Sequence, residues 1–167
     1  MTTIYNIVER LRLQPHPEGG YYRETYRSNG VIPGAALPEP FEGSRNYATS
    51  IYFLLTSDSF SAFHRIRQDE VWHFYDGAPI CLHILNADGV YEKYLLGRDM
   101  AGGQLPQLVV LAGNWFASEV CSPGKYSLAG CTVSPGFDFA DFELAGRNDL
   151  IGSYPDHRDL ITRLTRS

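Results

Sequence analysis

"FHRIRQDEVWHFYDG", residues 63–77, places His64, Glu70 and Gly77 at the spacing of a metal-binding pair of strands, but Ile66 stands where a second ligand would be expected. The stretch is either a metal site that has lost a ligand or a pocket that needs no metal. Read with the two-residue period of a strand, Phe60, Ala62, His64 and Ile66 share one face, and Ser61, Phe63 and Arg65 the other. On the next strand Glu70, Trp72 and Phe74 oppose Val71, His73 and Tyr75. A hairpin would bring His64 to Glu70 on a wall shared with Ala62, Trp72 and Phe74. Apolar area with a few orienting polar groups is what a small-molecule site requires.

The same rhythm extends outward. Residues 49–56, 59–66, 70–75, 80–86, 90–96, 107–111, 115–120, 126–133 and 138–143 read as strands separated by turn signals, with Asp88-Gly89 the strongest hairpin cue. "YYRETYR", residues 21–27, reads as an earlier strand, and residues 28–47 as a long Pro/Gly-rich loop of a length usually kept for function or disorder. Helical spacing appears only at the ends. Ile4, Ile7, Val8 and Leu11 mark a helix over 2–13 with Thr2 or Thr3 as its cap, and Leu160, Ile161 and Leu164 mark another within 155–165. The expectation is one mainly β domain spanning 1–167, a sandwich or barrel over about 20–143 with helical flanks.

Composition agrees. The chain has 167 residues, 44% hydrophobic and 20% charged, with 16 Gly, 10 Pro, 11 Tyr and 9 Phe, which suits a turn-rich β protein more than a helix bundle. A net charge of −5 argues against nucleic acid as the partner. All but two of the 14 basic residues are Arg, scattered rather than clustered, which suits local pairing or a grip on a phosphate or carboxylate of a small ligand. Cys81, Cys121 and Cys131 lie in or near apolar runs without a C-x-x-C spacing and read as reduced core thiols. No signal peptide and no run of about 20 apolar residues is visible. The expected setting is the cytoplasm, with no membrane partner.

The 63–77 stretch resembles the first motif of the cupin superfamily, G-x5-H-x-H-x3-E-x6-G. His64, Glu70 and Gly77 fall on register, Asp58 replaces the opening Gly, and Ile66 replaces the second His. Of the second motif, G-x5-P-x-G-x2-H-x3-N, "LAGNWFASEV" keeps Gly113, while Leu111, Phe116 and Val120 replace the Pro, His and Asn. "HPEGGYYRETYRS", "TSIYFLL", "PQLVVLAGNWFA" and "YSLAGCTVSPGFDFADFELA" resemble segments of the single-domain cupin type five family. That resemblance implies a cupin-like double-stranded β-helix, a jelly-roll barrel, often a homodimer paired through N-terminal strands, here 21–27.

Carried over residue by residue, the resemblance leaves His64 and Glu70 of the metal ligands and puts Ile66 and Phe116 at the other two positions. Two ligands are too few for a catalytic metal, which wants about three plus an open position. No cofactor is therefore expected. A divalent metal would need His64, Glu70 and a third ligand such as His73, which an ideal strand sends to the opposite face unless a bulge turns it in. His83 reads as a satisfied histidine on a sheet face, and Glu119 points away if Phe116 points in. The leading reading is a small-molecule-binding cupin, independent of metal, with a pocket lined by Ala62, His64, Ile66, Glu70, Trp72, Phe74 and Phe116. The alternative is an isomerase or epimerase acting on a carbohydrate or sugar nucleotide, with catalytic His64 as general base oriented by Glu70. A metal-dependent cupin enzyme is the third reading, and a purely structural role the fourth. "HPEGGYY", with His16 and Glu18, reads as a tight turn into the first strand, where Tyr21, Tyr22 or Arg23 would edge a pocket. The Phe residues of "PGFDFADFE" read as core or interface packing, with one free to stack on a ligand ring.

Overall fold

The alternation of apolar residues along the chain builds thirteen strands in the computed structural model, which describes residues 4–121 and 123–166. They are β1 (Gln14–Pro15), β2 (Tyr21–Arg27), β3 (Val31–Ile32), β4 (Arg45–Asn46), β5 (Thr49–Thr56), β6 (Phe60–Arg65), β7 (Asp69–Gly77), β8 (Ile80–Leu85), β9 (Tyr91–Leu96), β10 (Gln107–Val110), β11 (Trp115–Val120), β12 (Tyr126–Ser134) and β13 (Glu143–Leu144). The helices are α1 (Ile4–Leu11), α2 (Arg147–Ser153) and α3 (Arg158–Arg163). A six-stranded antiparallel sheet runs β1-β2-β5-β12-β7-β10, and a five-stranded one runs β13-β6-β11-β8-β9. Their inner faces meet in a core of Phe53, Leu55, Trp72, Leu82, Ile84 and Phe116 with smaller neighbours. This is the mainly β jelly roll expected.

Both outer faces carry helices, because strand parity leaves an apolar residue on each. Leu54 points out from β5 and is covered by Ile7 of α1 and by Leu13. Phe63 points out from β6 and is covered by Leu150, Ile151, Ile161 and Leu164 of the C-terminal segment. α2 was not anticipated. "RNDLIGS" is too short to show a period, and it is helical because Leu150 and Ile151 dock on the sheet. The capping role expected of Thr2 or Thr3 lies outside the described residues.

Several local expectations are corrected. Residues 63–77 do not form a hairpin: β6 and β7 belong to different sheets, so the connection crosses from one sheet to the other. The strand expected over 138–143 is a 3₁₀ turn, Phe139–Asp141, followed by the two-residue β13. Asp138 starts that turn by accepting the Ala140 N–H, and Asp141 turns inward to take a two-pronged hydrogen bond from Arg45 at 2.8 and 2.6 Å. The 28–47 loop is ordered into the β3–β4 pair and a 3₁₀ turn at Gly34–Ala36. Cys81 and Cys121 form a disulfide between β8 and the end of β11, and only Cys131 matches the free, buried thiol expected. Disulfides are uncommon in the cytosol, so the cysteine count does not support that compartment. Among the described residues, no helix is long and apolar enough to cross a membrane.

The Arg45–Asp141 pair is almost wholly buried, with side-chain exposures of 4% and 0%, and Gln68 Nε2 also donates to Asp141 at 2.7 Å. Removing one member of such a pair leaves the other charge buried without compensation. Asp141→Ala should lower the free energy of unfolding by about 3–5 kcal/mol, measured by urea denaturation at pH 7.

Candidate functional site

A cavity of about 470 Å³ opens between the sheets, with β6 on one side and β7 and β12 on the other. Its chemistry begins with an irregularity in β6. Against β11, Phe116 faces His64 and Ser118 faces Ser61, so three residues of β6 span what two span on its partner. This bulge carries one extra residue and reverses the side-chain alternation beyond it. Ser61 and His64, expected on opposite faces, therefore both turn inward, while Phe60 packs with the outer cluster.

Both meet Glu18. His64 Nε2 lies 2.9 Å from Glu18 Oε2, and Ser61 Oγ donates to Glu18 Oε1 at 2.9 Å. The partner expected for His64 was Glu70; the structure supplies Glu18, from the "HPEGGYY" turn. That turn is closed by Gly19 N–H to His16 O and His16 N–H to Gly20 O, both at 3.0 Å. It is anchored on β6 by Ala62 N–H to Glu18 O at 2.8 Å. Gly19 is required there: its φ is +113°, and a Cβ would sit 2.0 Å from Phe60 O.

The proton positions follow from the partners. His64 Nδ1 lies 2.7 Å from the Ala62 carbonyl, which only accepts, so Nδ1 carries a proton. Nε2 faces a carboxylate and carries the second, which makes the pair imidazolium–carboxylate. Burial alone would push His64 down and Glu18 up. Their mutual charge and hydrogen bond outweigh it, so His64 is held above and Glu18 below the ordinary value. Glu70 adds to the first shift and Ser61 to the second. His16 accepts the Glu18 backbone N–H on Nδ1 at 3.3 Å, and burial lowers its pKa, so it is neutral.

Glu70 lies across the cavity on β7 and reaches His64 through charge alone. Only 7% exposed, it has its carboxyl pushed up to about 7, first by burial and further by the Glu18 charge, against the pull of His64. The Cys131 thiol of β12 hydrogen-bonds to it, and burial with that neighbouring carboxylate drives the thiol well above its usual range. Tyr22, Phe53, Trp72, Phe137, Phe139 and Phe142 supply the aromatic wall.

Of the residues expected to line the pocket, His64, Ile66, Glu70 and Trp72 do so. Ala62 contributes its carbonyl from behind His64. Phe116 packs against the imidazole at a ring-centroid distance of 4.1 Å with the rings tilted by 54°, and Phe74 packs into the core near Arg98. His73 points to the outer face, 3.1 Å from Thr132 Oγ1; the register of β7 is regular from Glu70 to Phe74, and its one irregularity against β12 lies beyond, between Phe74 and Asp76. His83 is satisfied by Tyr91 and Glu119 on the far side of β8. The residues missed were His16, Glu18, Ser61, Cys131 and the Phe137, Phe139 and Phe142 rim. The one signal for the first two was polar chemistry placed directly before a Gly-Gly pair.

The fit of a metal can be judged from these contacts. Both ring nitrogens of His64 are engaged inside the protein, Ile66 is apolar, and Phe116 fills the space behind the ring. Among the described residues, no group of three or more His, Cys, Asp or Glu side chains is arranged to hold a metal ion. The residues present do not fit a divalent metal.

The raised pKa of Glu70 has a stability consequence. The folded state holds its proton up to about pH 7, while the unfolded chain releases it near 4.5, so the folded state loses stability as pH rises between these values. The loss amounts to about 3 kcal/mol. Glu70→Gln lacks this term and should be more stable than wild type by about that amount at pH 8, with the gap closing toward pH 4. Urea unfolding of both proteins across this range checks it.

The profile of the Cupin superfamily (DUF985) matches residues 5–145. An uncharacterized protein of Saccharomyces cerevisiae, YML079W, is 29% identical over 162 residues, covering 89% of this chain and 79% of that protein. A hypothetical protein from Leishmania major superposes with a TM-score of 0.89 at 36% identity, covering 99% of this chain and 100% of the other. Protein SO0799 from Shewanella oneidensis gives 0.88 at 38%, covering 99% of each. Oxalate decarboxylase from Bacillus subtilis shares the fold at 12% identity and a TM-score of 0.54, over 90% of this chain and 36% of its own. From the β-barrel, the motif remnants and this match across most of its length, the chain belongs to the Cupin superfamily family DUF985.

Proposed function

We propose that the protein is a small-molecule-binding cupin whose barrel cavity works without a metal. The observation that carries this reading is a cavity of about 470 Å³, within the usual range for ligand sites, walled by aromatics and floored by polar groups. The Glu18–His64 ion pair forms part of that floor and Glu70 faces it. Two polar groups held at fixed positions orient a ligand, while the apolar wall supplies affinity. The family resemblance adds a homodimer to the proposal, and light scattering on the purified protein tests that part.

A metabolite screen by thermal shift and calorimetry, with and without chelator, tests the central claim. Ligands that bind equally well in both conditions are expected, along with weaker binding by Glu70→Gln. Near one metal per chain in chelator-free protein, lost in His64→Ala, would sink the reading.

One observation favours a second reading, proton-transfer catalysis of the isomerase type. Glu70 titrates at about 7, where a carboxyl both takes and returns a proton readily. The base expected from sequence was His64, but that ring has no free lone pair while Glu18 holds it. In this reading Glu70 exchanges the proton and the His64–Glu18 pair fixes the local field. Solvent deuterium should enter a bound ligand at a rate that rises with pH through about 7 and falls at least a hundredfold in Glu70→Gln. Unchanged exchange in the variant would remove Glu70 from the chemistry.

A further inference from the structure

Four carboxylates line the cavity, Glu18, Glu24, Glu70 and Asp138, against one guanidinium, Arg27, and one imidazolium, His64. Both cations are engaged within the protein, His64 through both ring N–H groups and Arg27 through four of its five donors. Arg27 donates from Nε and Nη2 to Glu24 at 2.9 and 2.8 Å, from Nη1 to Asn46 Oδ1 at 2.8 Å, and from Nη2 to Phe137 O at 3.0 Å. His64 gives its two N–H groups to Glu18 and to the Ala62 carbonyl. A phosphate or carboxylate entering the cavity would find at most one uncommitted cationic N–H, on Arg27 Nη1, and would lose its hydration beside carboxylates.

The acids are matched less completely. Glu18 answers His64, Glu24 answers Arg27, and Asp138 lies in the field of Arg27 and Arg45, which leaves Glu70 as the acid without a cation of its own. Asp138 is exposed at the rim and caps the Ala140 N–H. Glu70 is buried at the base, with a weakly donating thiol as its hydrogen-bonding neighbour. Phe137, Phe139 and Phe142 line the same cavity, with ring centroids 5.0 Å apart for the first pair and 5.9 Å for the second. The His16 ring closes on Phe142 at 5.9 Å. Aromatic faces attract cations through their quadrupoles, most strongly where water is excluded.

We propose that the cavity selects an organic cation, an amine or amidine carried on a ring, whose charged end pairs with Glu70 while its body lies against the Phe137, Phe139 and Phe142 rim. This rests on the small-molecule reading above and names the class of ligand. Glu70 supplies the single strong acceptor, and the aromatic rim tolerates the charge as it passes. The Glu18–His64 pair presents little net charge and therefore neither repels the cation nor competes for it.

The test is an isosteric charge series on the full-length protein: benzamidine, benzamide and benzoate share one planar frame and carry charges of +1, 0 and −1. Calorimetry at pH 8, where Glu70 is ionised, should show benzamidine binding at least tenfold more tightly than benzamide, and benzoate more weakly than benzamide. Glu70→Gln, its fold checked by circular dichroism, should bring benzamidine down to the level of benzamide. Should that variant fail to fold, the wild-type series decides alone. Benzamide or benzoate binding as well as benzamidine overturns the cation assignment while leaving a small-molecule pocket in place. Absence of binding by all three at 10 mM overturns it too, and the metabolite screen then judges the pocket by itself.

Discussion

The site is organised by the contact between His64 and Glu18. An imidazole with a carbonyl on one nitrogen and a carboxylate on the other has a single satisfactory protonation state, and that state is a cation. Burying a charge is expensive unless it is paired and hydrogen-bonded, so the chain must deliver a carboxylate to that position and hold it there. The "HPEGGYY" turn does this. Gly19 brings the backbone against β6 and Gly20 against β5 where no Cβ fits, and the Arg166 guanidinium seals the junction by donating to Phe60 O at 2.8 Å and Glu18 O at 3.3 Å. The extra residue in β6 places Ser61 on the second carboxylate oxygen. Turn, bulge and C-terminal arginine are thus parts of one support.

With that pair fixed, Glu70 is left as the acid without an ion-pair partner. It sits in the same low-polarity space, near one positive and one negative charge, and its nearest donor is a thiol. Its proton is released near neutrality as a result of these surroundings. Keeping a carboxyl in this condition works against the stability of the fold above neutral pH. A buried group that destabilises the protein under ordinary conditions is a familiar mark of a functional position.

The barrel was legible because strand periodicity, turn residues and aromatic content all point the same way, and because His64, Glu70 and Gly77 keep their spacing. The inward facing of Glu70 and Trp72 and the outward facing of His73 follow from simple alternation, which β7 obeys over those residues. The same rule failed in β6, where a bulge leaves no mark in residue type. It failed again at 138–143, where Phe137, Phe139 and Asp141 alternate with Asp138, Ala140 and Phe142 like a strand, but the chain turns because Asp141 is drawn to Arg45. Glu18 was hidden for a different reason. Its importance lies in a contact 46 residues along the chain, and nothing local distinguishes a carboxylate in a tight turn from one that caps a barrel. The Cys81–Cys121 bond likewise depends on β8 and β11 being neighbours, a pairing that spacing does not encode.

The floor and the rim of the cavity are built on different kinds of backbone. The floor groups stand on β6, β7 and β12, within ladders, and on a glycine turn with no spare room. The rim aromatics stand on the 135–142 segment, outside both large sheets, with Phe139 half exposed. Substitution at Phe137 or Phe139 disturbs no ladder and does not touch the His64 ring, whereas Phe142 lies 5.4 Å from it. The fold therefore separates two evolutionary freedoms: descendants of this barrel can exchange one ligand for another by changing a few rim residues while inheriting the same acid–base floor.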